Sequence, residues 1–201
     1  MTLSRAATTT VFLFIAALTP GSAQSVSNLS EAPLGRPDAP VSVIEYSSLG
    51  CGHCAAFHAS VLPRIKRDYV DAGKVRWTIR DFPLGQLPLA GAMIARCAGP
   101  DAYPALLDVL FRTQDAWMSD AAPIAALERI ARQAGLDKKR FDACLDDKKL
   151  IEGLISRARE VEKIVSGTPT FLINGERVVG MMPYEEFAAV LERHLKAAPP
   201  K

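Results

Sequence analysis

Two cysteines separated by two residues, Cys51 and Cys54, lie in the stretch SLGCGHCAAF. Such a pair can bind a metal, staple a loop or exchange a disulfide with other thiols, because one helical turn brings the two sulfurs within bonding reach. Residues 41–47 form a β-branched run that predicts a strand, and apolar residues at three- and four-residue spacing predict a helix after the pair. Cys51 is therefore expected at a helix N-terminus, where unpaired N–H groups stabilise a thiolate.

The two cysteines are expected to play different roles. His53 adds a hydrogen-bond donor or a positive charge close to the Cys51 sulfur, and Gly52 leaves the approach to it uncrowded. Cys51 is thus predicted to be the exposed nucleophile, and Cys54, on the apolar face of the helix, the shielded resolving thiol. A stabilised Cys51 thiolate favours the reduced pair, which makes the Cys51–Cys54 disulfide a stronger oxidant.

A zinc site is the alternative from a different class of protein. It would need two further ligands, from Cys97 with Cys144 or from His58. A second closely spaced pair of cysteines is missing from the sequence, so we expect neither a metal nor another cofactor.

The N-terminus sets the expected compartment. Arg5 supplies a positive charge, residues 11–18 an apolar run, and residues 21–23 a small-x-small cleavage site. The run is far shorter than the roughly 20 apolar residues that span a bilayer. We predict a signal peptide over residues 1–23, cleaved after Ala23, and a mature protein in the periplasm, where disulfides form and persist.

Composition and pattern predict one α/β domain with an inserted helical block. The chain has 201 residues, is 49% hydrophobic and carries a net charge of +2 without a basic patch, so nucleic acid is not an expected partner. Residues 24–40 are predicted to be an extended leader that does not pack. The remaining pattern predicts a parallel βαβ unit, a helical block, a hairpin at Asn174–Gly175 and a last helix, with Pro63 kinking the first helix.

Two motifs carry a resemblance to a known family. The CGHC motif after a strand and the GTPTFLING run at residues 167–175, with a helical block between them, resemble the DsbA-like thiol–disulfide oxidoreductases of the thioredoxin superfamily over residues 37–197. The resemblance implies a thioredoxin fold with an inserted helical subdomain. Its thioredoxin-like domain would comprise residues 41–84 and 166–197, and its helical subdomain residues 85–165.

The resemblance also implies site residues beyond the cysteines. A cis peptide between Thr168 and Pro169 would lie against the cysteine pair and offer backbone groups to a substrate strand. Glu45 matches a buried acid of the family that could exchange a proton with Cys54. We expect Glu45 to be partly buried and unpaired, with a raised pKa, or else to reach water at the strand end.

The resemblance bears on the remaining cysteines and histidines as well. Some DsbA-like proteins carry a structural disulfide in the helical domain, and Cys97 and Cys144 are placed to form one; two buried free thiols are the alternative. At His58 the chain departs from the best-known oxidases, which often have an acid there. We expect both His58 and His194 on solvated helix faces.

The function implied is the introduction of disulfides into exported proteins that carry free thiols. The protein would be a monomer reoxidised by a membrane redox partner, since residues 24–40 leave no room for the dimerisation domain of isomerase relatives. Threonine before the proline occurs in oxidases and in isomerase or reductase relatives, so isomerase or reductase activity stays open. A binding or chaperone module with a purely structural disulfide is the other alternative.

Overall fold

A computed structural model describes residues 29–198, and the predicted signal peptide with its cleavage site at Ala23 lies outside them. The described residues form a four-stranded sheet in the order β2-β1-β3-β4. Its strands are β1 (Val41–Ser47), β2 (Val75–Asp81), β3 (Thr170–Ile173) and β4 (Glu176–Val179). The first two strands are parallel, and β3 runs antiparallel to both β1 and β4. The predicted α/β class, with a parallel pair and an antiparallel hairpin, is confirmed.

The hairpin between β3 and β4 turns at the predicted dipeptide. Asn174 and Gly175 have φ angles of 48° and 90°. A turn with positive φ at both central residues matches the twist of the strands that it joins, and Asn-Gly is the pair that adopts it most readily.

The helix after the cysteines is divided before Pro63, which corrects the predicted simple kink. Helix α1 (Gly52–Ser60) ends at Val61, and α2 (Leu62–Ile65) begins after it and runs into a π-helical turn (Lys66–Val70). Pro63 lies in the first turn of α2, where a proline leaves no helical hydrogen bond unmade. The chain therefore starts a new helix at the proline.

A block of helices fills the chain between β2 and β3. It consists of α3 (Gln86–Cys97), α4 (Tyr103–Arg112), α5 (Gln114–Met118), α6 (Pro123–Gln133), α7 (Lys138–Leu145) and α8 (Lys148–Glu160). The side chains of Asp137 and Asp147 accept hydrogen bonds from the backbone N–H groups of Arg140 and Leu150, which fixes where α7 and α8 begin. Helix α9 (Tyr184–Ala197) ends the described fold.

An aromatic cluster holds α1 and α9 against the sheet. It comprises Phe57, Trp77, Phe171 and Phe187, none of which is exposed to solvent. The ring centroids lie 4.8 to 5.9 Å apart, and several of the rings meet edge to face or tilted. Aromatic pairs at this spacing contribute about 0.5–1.5 kcal/mol each beyond the area they bury.

Part of the leader packs, contrary to expectation. Leu34 exchanges two backbone hydrogen bonds with Trp77 of the edge strand β2, at 2.7 and 2.9 Å. The Leu29 carbonyl accepts a hydrogen bond from the guanidinium group of Arg157 of α8 at 2.6 Å. An edge strand presents unpaired N–H and C=O groups that a neighbouring extended segment can satisfy. The polar composition of residues 24–40 gave no sign of this docking.

Within residues 29–198, no helix combines the length and the apolar character needed to cross a bilayer.

Helices α3 and α7 are joined by a disulfide between Cys97 and Cys144, whose Cα atoms are 6.1 Å apart. Both cysteines belong to the hydrophobic core, so the crosslink lies inside the helical block. We predict that its role is structural.

Replacing both residues in a Cys97→Ala/Cys144→Ala variant is expected to lower the free energy of unfolding by about 3–4 kcal/mol, because a crosslink across 47 residues restricts the unfolded chain. Urea unfolding without reductant measures the loss. A Cys51→Ala/Cys54→Ala variant is the control, since its loop is too short to restrict the unfolded chain much. A loss below about 1 kcal/mol in the first variant would contradict a structural role.

Candidate active site

Cys51 is the N-cap residue of α1, as predicted, in the short connection between β1 and that helix. It is partly exposed, and its Sγ lies 3.1 Å from the carbonyl oxygen of Thr168. Burial alone would raise the pKa of the Cys51 thiol, but hydrogen bonds from the side chains of Thr168 and Cys54 and from the backbone N–H groups of Cys54 and His53 lower the pKa below its ordinary value. The donors at the start of the helix therefore favour a thiolate on Cys51.

Cys54 has the opposite environment. It is fully buried on the inner face of α1. Burial raises the pKa of its thiol to about 12, and the negative charges of Cys51 and Glu45 act in the same direction. Near neutral pH the reactive thiolate thus belongs to Cys51, while Cys54 is kept as a thiol.

The loop before β3 completes the surroundings of Cys51. The peptide bond between Thr168 and Pro169 is cis, as the resemblance implied. The contact of Cys51 with the Thr168 carbonyl joins residues 117 positions apart. His53 is exposed beside the cysteine pair, and it is its backbone N–H group that acts on the Cys51 sulfur.

Glu45 differs from expectation in burial, pairing and pKa. Its side chain is 0% exposed, and both carboxylate oxygens have partners: the His58 Nε2 lies 2.8 Å from Oε1, and the Trp77 Nε1–H donates to Oε2 at 3.0 Å. Burial by itself would raise the pKa of Glu45, but the charge and hydrogen bond of His58, together with hydrogen bonds from Ser47 and Trp77, outweigh it and hold the pKa below its ordinary value. The predicted raised pKa of Glu45 is wrong because it assumed an unpaired carboxylate. The partner, His58, lies on α1 and not on the strand that carries Glu45, so the strand pattern did not indicate it.

His58 is inside the protein, not on a solvated face. Only 1% of its side chain is exposed, and its ring stacks on Phe111 of α4 at a centroid distance of 3.9 Å. A signal for this burial was present, since His58 follows the inward-facing Cys54 by four residues and so shares its side of α1. His194 is also less solvated than expected, with its Nε2 3.0 Å from Glu176 and 15% of the side chain exposed.

Gln114 was missed by the sequence reasoning. Its side-chain amide, at the start of α5, donates to the carbonyl oxygens of Leu49 and Cys51 at 2.8 and 3.2 Å. It therefore ties the cysteine loop to the helical block. A single glutamine without a surrounding pattern gave no means of finding it.

The ligands that a zinc site would need are used elsewhere. Cys97 and Cys144 are bonded to each other, and His58 is bonded to Glu45. In the part of the chain that the structure describes, three or more His, Cys, Asp or Glu side chains do not come together in a metal-binding arrangement.

A Glu45→Gln variant tests the state of the buried carboxylate. A lowered pKa means that the ionised form stabilises the folded state above the ordinary pKa, and that this stability is lost as the pH falls through the folded-state value. We therefore expect the free energy of unfolding to fall more steeply between pH 5 and pH 3 in the wild type than in the variant, as measured by urea unfolding. A wild type that gains stability over the variant as the pH falls would mean that the pKa of Glu45 is raised.

Comparisons with known proteins agree with the fold and with the geometry of the cysteine site. A family model described as Thioredoxin matches residues 27–193. The crystal structure of Wolbachia pipientis alpha-DsbA1 superposes with a TM-score of 0.78 and 29% identity, covering 85% of this chain and 93% of that chain. Oxidised BdbD from Bacillus subtilis has a TM-score of 0.72 at 22% identity and covers 83% of this chain and 93% of its own, which shows a shared fold.

A curated relative from Rickettsia bellii, "Putative protein-disulfide oxidoreductase", is 31% identical over 145 residues, which are 71% of this chain and 56% of that protein. The chain thus spans about half the length of the Rickettsia relatives that it matches. The "Disulfide bond formation protein D" of Bacillus subtilis is 23% identical over 180 residues, 81% of this chain and 76% of that protein. Because the family model spans most of the chain and the fold is shared with DsbA proteins, the chain belongs to the thioredoxin family, as a DsbA-like member with an inserted helical subdomain.

Proposed function

We propose that the protein is a thiol–disulfide oxidoreductase that introduces disulfides into exported proteins outside the cytosol. The observation that carries this proposal is the opposite environment of the two cysteines. Cys51 is partly exposed and has a lowered pKa, while Cys54 is buried and its pKa is raised to about 12. Stabilising the thiolate of a reduced pair makes its disulfide a stronger oxidant.

The exchange would proceed in two displacements. A substrate thiolate attacks the Sγ of Cys51, the Cys51–Cys54 bond breaks, and Cys54 takes the electron pair and then a proton. A second substrate thiolate attacks the substrate sulfur of this mixed disulfide, and Cys51 leaves as a thiolate. A leaving thiol of low pKa departs faster, so the hydrogen bonds that stabilise Cys51 would also speed the release of the product.

The surface beside the cysteines suits a polypeptide substrate. The backbone of the Thr168–Pro169 loop lies next to Cys51, and an open groove of about 470 Å³ begins at His53. Other residues that line the groove include Val61, Met181, Met182, Pro183 and Tyr184. Methionine side chains adapt to differently shaped apolar partners, which fits substrates of varied sequence.

Location and partners follow from the same chemistry. The signal peptide predicted over residues 1–23 and the Cys97–Cys144 disulfide are both in keeping with a periplasmic protein. Each turnover leaves Cys51 and Cys54 reduced, so the cycle needs reoxidation, for which we propose a membrane redox partner. The name of the Bacillus subtilis relative, "Disulfide bond formation protein D", supports oxidation over the isomerase or reductase alternative.

Variants of the two cysteines test this function. The oxidised wild type is expected to oxidise a reduced two-thiol peptide with loss of one protein disulfide per peptide. Cys51→Ser should abolish the reaction because the exposed sulfur is lost, and Cys54→Ser should form a stable mixed disulfide with a glutathionylated or activated substrate because the resolving thiol is missing. Mass spectrometry of acid-quenched samples measures both.

The Cys97→Ala/Cys144→Ala variant is the matched control and should keep the one-to-one stoichiometry. A Cys51→Ser protein that oxidises the peptide at the wild-type rate would contradict the proposal and favour a binding module.

A further inference from the structure

The groove beside the cysteines carries fixed charge of one sign. Residues of α1 and α2, among them His53 and Arg64, line one side of it, and residues 181–184 line the other. Among the described residues that line the groove, Arg64 has a permanent charge and none is a carboxylate. A groove of this kind attracts a negatively charged group and disfavours a positively charged one.

Stacking holds the Arg64 side chain in position. Its guanidinium carbon lies 3.7 Å from the centroid of the Tyr184 ring, which is a cation–π contact. The ring is itself fixed, because the Tyr184 hydroxyl donates a hydrogen bond to Asp68 at 2.7 Å. A guanidinium that is already held by an aromatic ring loses less side-chain entropy when it binds a carboxylate. The cation is therefore in place before a substrate arrives.

The carboxylate that Arg64 holds in the structure is easily replaced. Arg64 Nη1 donates a hydrogen bond to Glu185 Oε1 at 3.1 Å, the one hydrogen bond between these two described side chains. The side chain of Glu185 is 71% exposed and that of Arg64 is 45% exposed. Such exposed pairs contribute little stability, because water solvates both charges. A carboxylate on a substrate can thus displace Glu185, or bind the other N–H groups of Arg64, at little cost.

The spacing along α1 and α2 sets how far from the reacting cysteine that carboxylate lies. Arg64 follows His53 of the cysteine motif by eleven positions. At about 1.5 Å per helical residue, the two positions are about 16 Å apart, which an extended polypeptide spans with about five residues. Met181 and Met182 line the same groove and suit apolar side chains of that segment.

We propose that Arg64 is a specificity-determining residue, which selects reduced polypeptides that carry an aspartate or glutamate about five residues from the cysteine that reacts with Cys51. This inference rests on the proposed function and names its substrate class. The contact lies away from the reacting sulfurs, so it is made equally before and during the exchange. It therefore lowers the substrate concentration needed for half-saturation and leaves the saturating rate unchanged.

The test compares two reduced two-thiol peptides that differ only in charge. One carries glutamate five residues before its first cysteine and five residues after its second, so that either chain direction presents a carboxylate to Arg64. The other carries glutamine at both places. Single turnovers of the oxidised mature protein at varied peptide concentration give the second-order rate constant and the saturating rate. We expect the wild type to prefer the glutamate peptide by about threefold to fivefold in the rate constant, the range of an exposed ion pair.

Four variants assign this preference to Arg64. Arg64→Gln should abolish the preference, and Arg64→Glu should reverse it. Glu185→Gln should increase it, because the internal carboxylate that competes for Arg64 is removed, and a loss of packing would not produce such a gain. Arg129→Glu is the matched control. Arg129 of α6 is likewise exposed and pairs with one carboxylate, that of Asp120 at 2.7 Å, so its replacement should leave the preference unchanged.

Equal rate constants for the two peptides in the wild type, or a preference that Arg64→Gln retains, would overturn the inference and leave the proposed function standing. A wild type that oxidises neither peptide would instead refute the proposed function itself. Should the Arg64 variants not fold, Glu185→Gln decides the question. A stronger preference for the glutamate peptide in that variant then supports the role of Arg64, and an unchanged preference overturns it.

Discussion

The hydrogen bonds at the N-terminus of α1 stabilise a negative charge on Cys51, and the rest of the site is arranged around that charge. The same helix carries Cys54 on its inner face, where burial keeps the second thiol protonated. Helix α1 therefore contributes to both pKa shifts, which have opposite directions, and the Thr168 side chain adds to the shift of Cys51. A shift of α1 away from Thr168 would weaken the stabilisation of Cys51 and expose Cys54 at the same time.

Several long-range contacts keep α1 in this place. Phe57 packs among aromatic rings from β2, β3 and α9, so the middle of the helix is fixed against the sheet. Gln114 holds the loop before the helix through the Cys51 carbonyl, and Phe111 covers His58. Both of these residues belong to the inserted helical block. The inserted helical block thus contacts both the cysteine loop and α1, in addition to forming a core of its own.

Local patterns were sufficient for much of the fold and for the centre of the site. The β-branched run at residues 41–47 predicted β1, Asn174–Gly175 predicted the hairpin, and the strand-to-helix change placed Cys51 at a helix N-terminus. These features depend on backbone propensity and side-chain period, which neighbouring residues encode.

Features that depend on distant partners were missed or misjudged. The pKa of Glu45 was expected to be raised because its burial could be inferred from the strand, while its bond to His58 could not. Packing of the leader on the edge strand through Leu34, and the contact of Gln114 with the cysteine loop, likewise join segments far apart in the chain. A single sequence can indicate that a polar residue is buried, and burial of a polar group costs free energy. It does not indicate which distant group offsets that cost.

The central claim is that the stabilised Cys51 thiolate makes the Cys51–Cys54 disulfide an oxidant. Equilibration of the mature protein with glutathione buffers, with mass spectrometry following this pair alone, measures its reduction potential. A potential of about −120 to −180 mV is the predicted result, since the reduced form is favoured. A value near about −270 mV would show that the pair is reducing and would contradict the account.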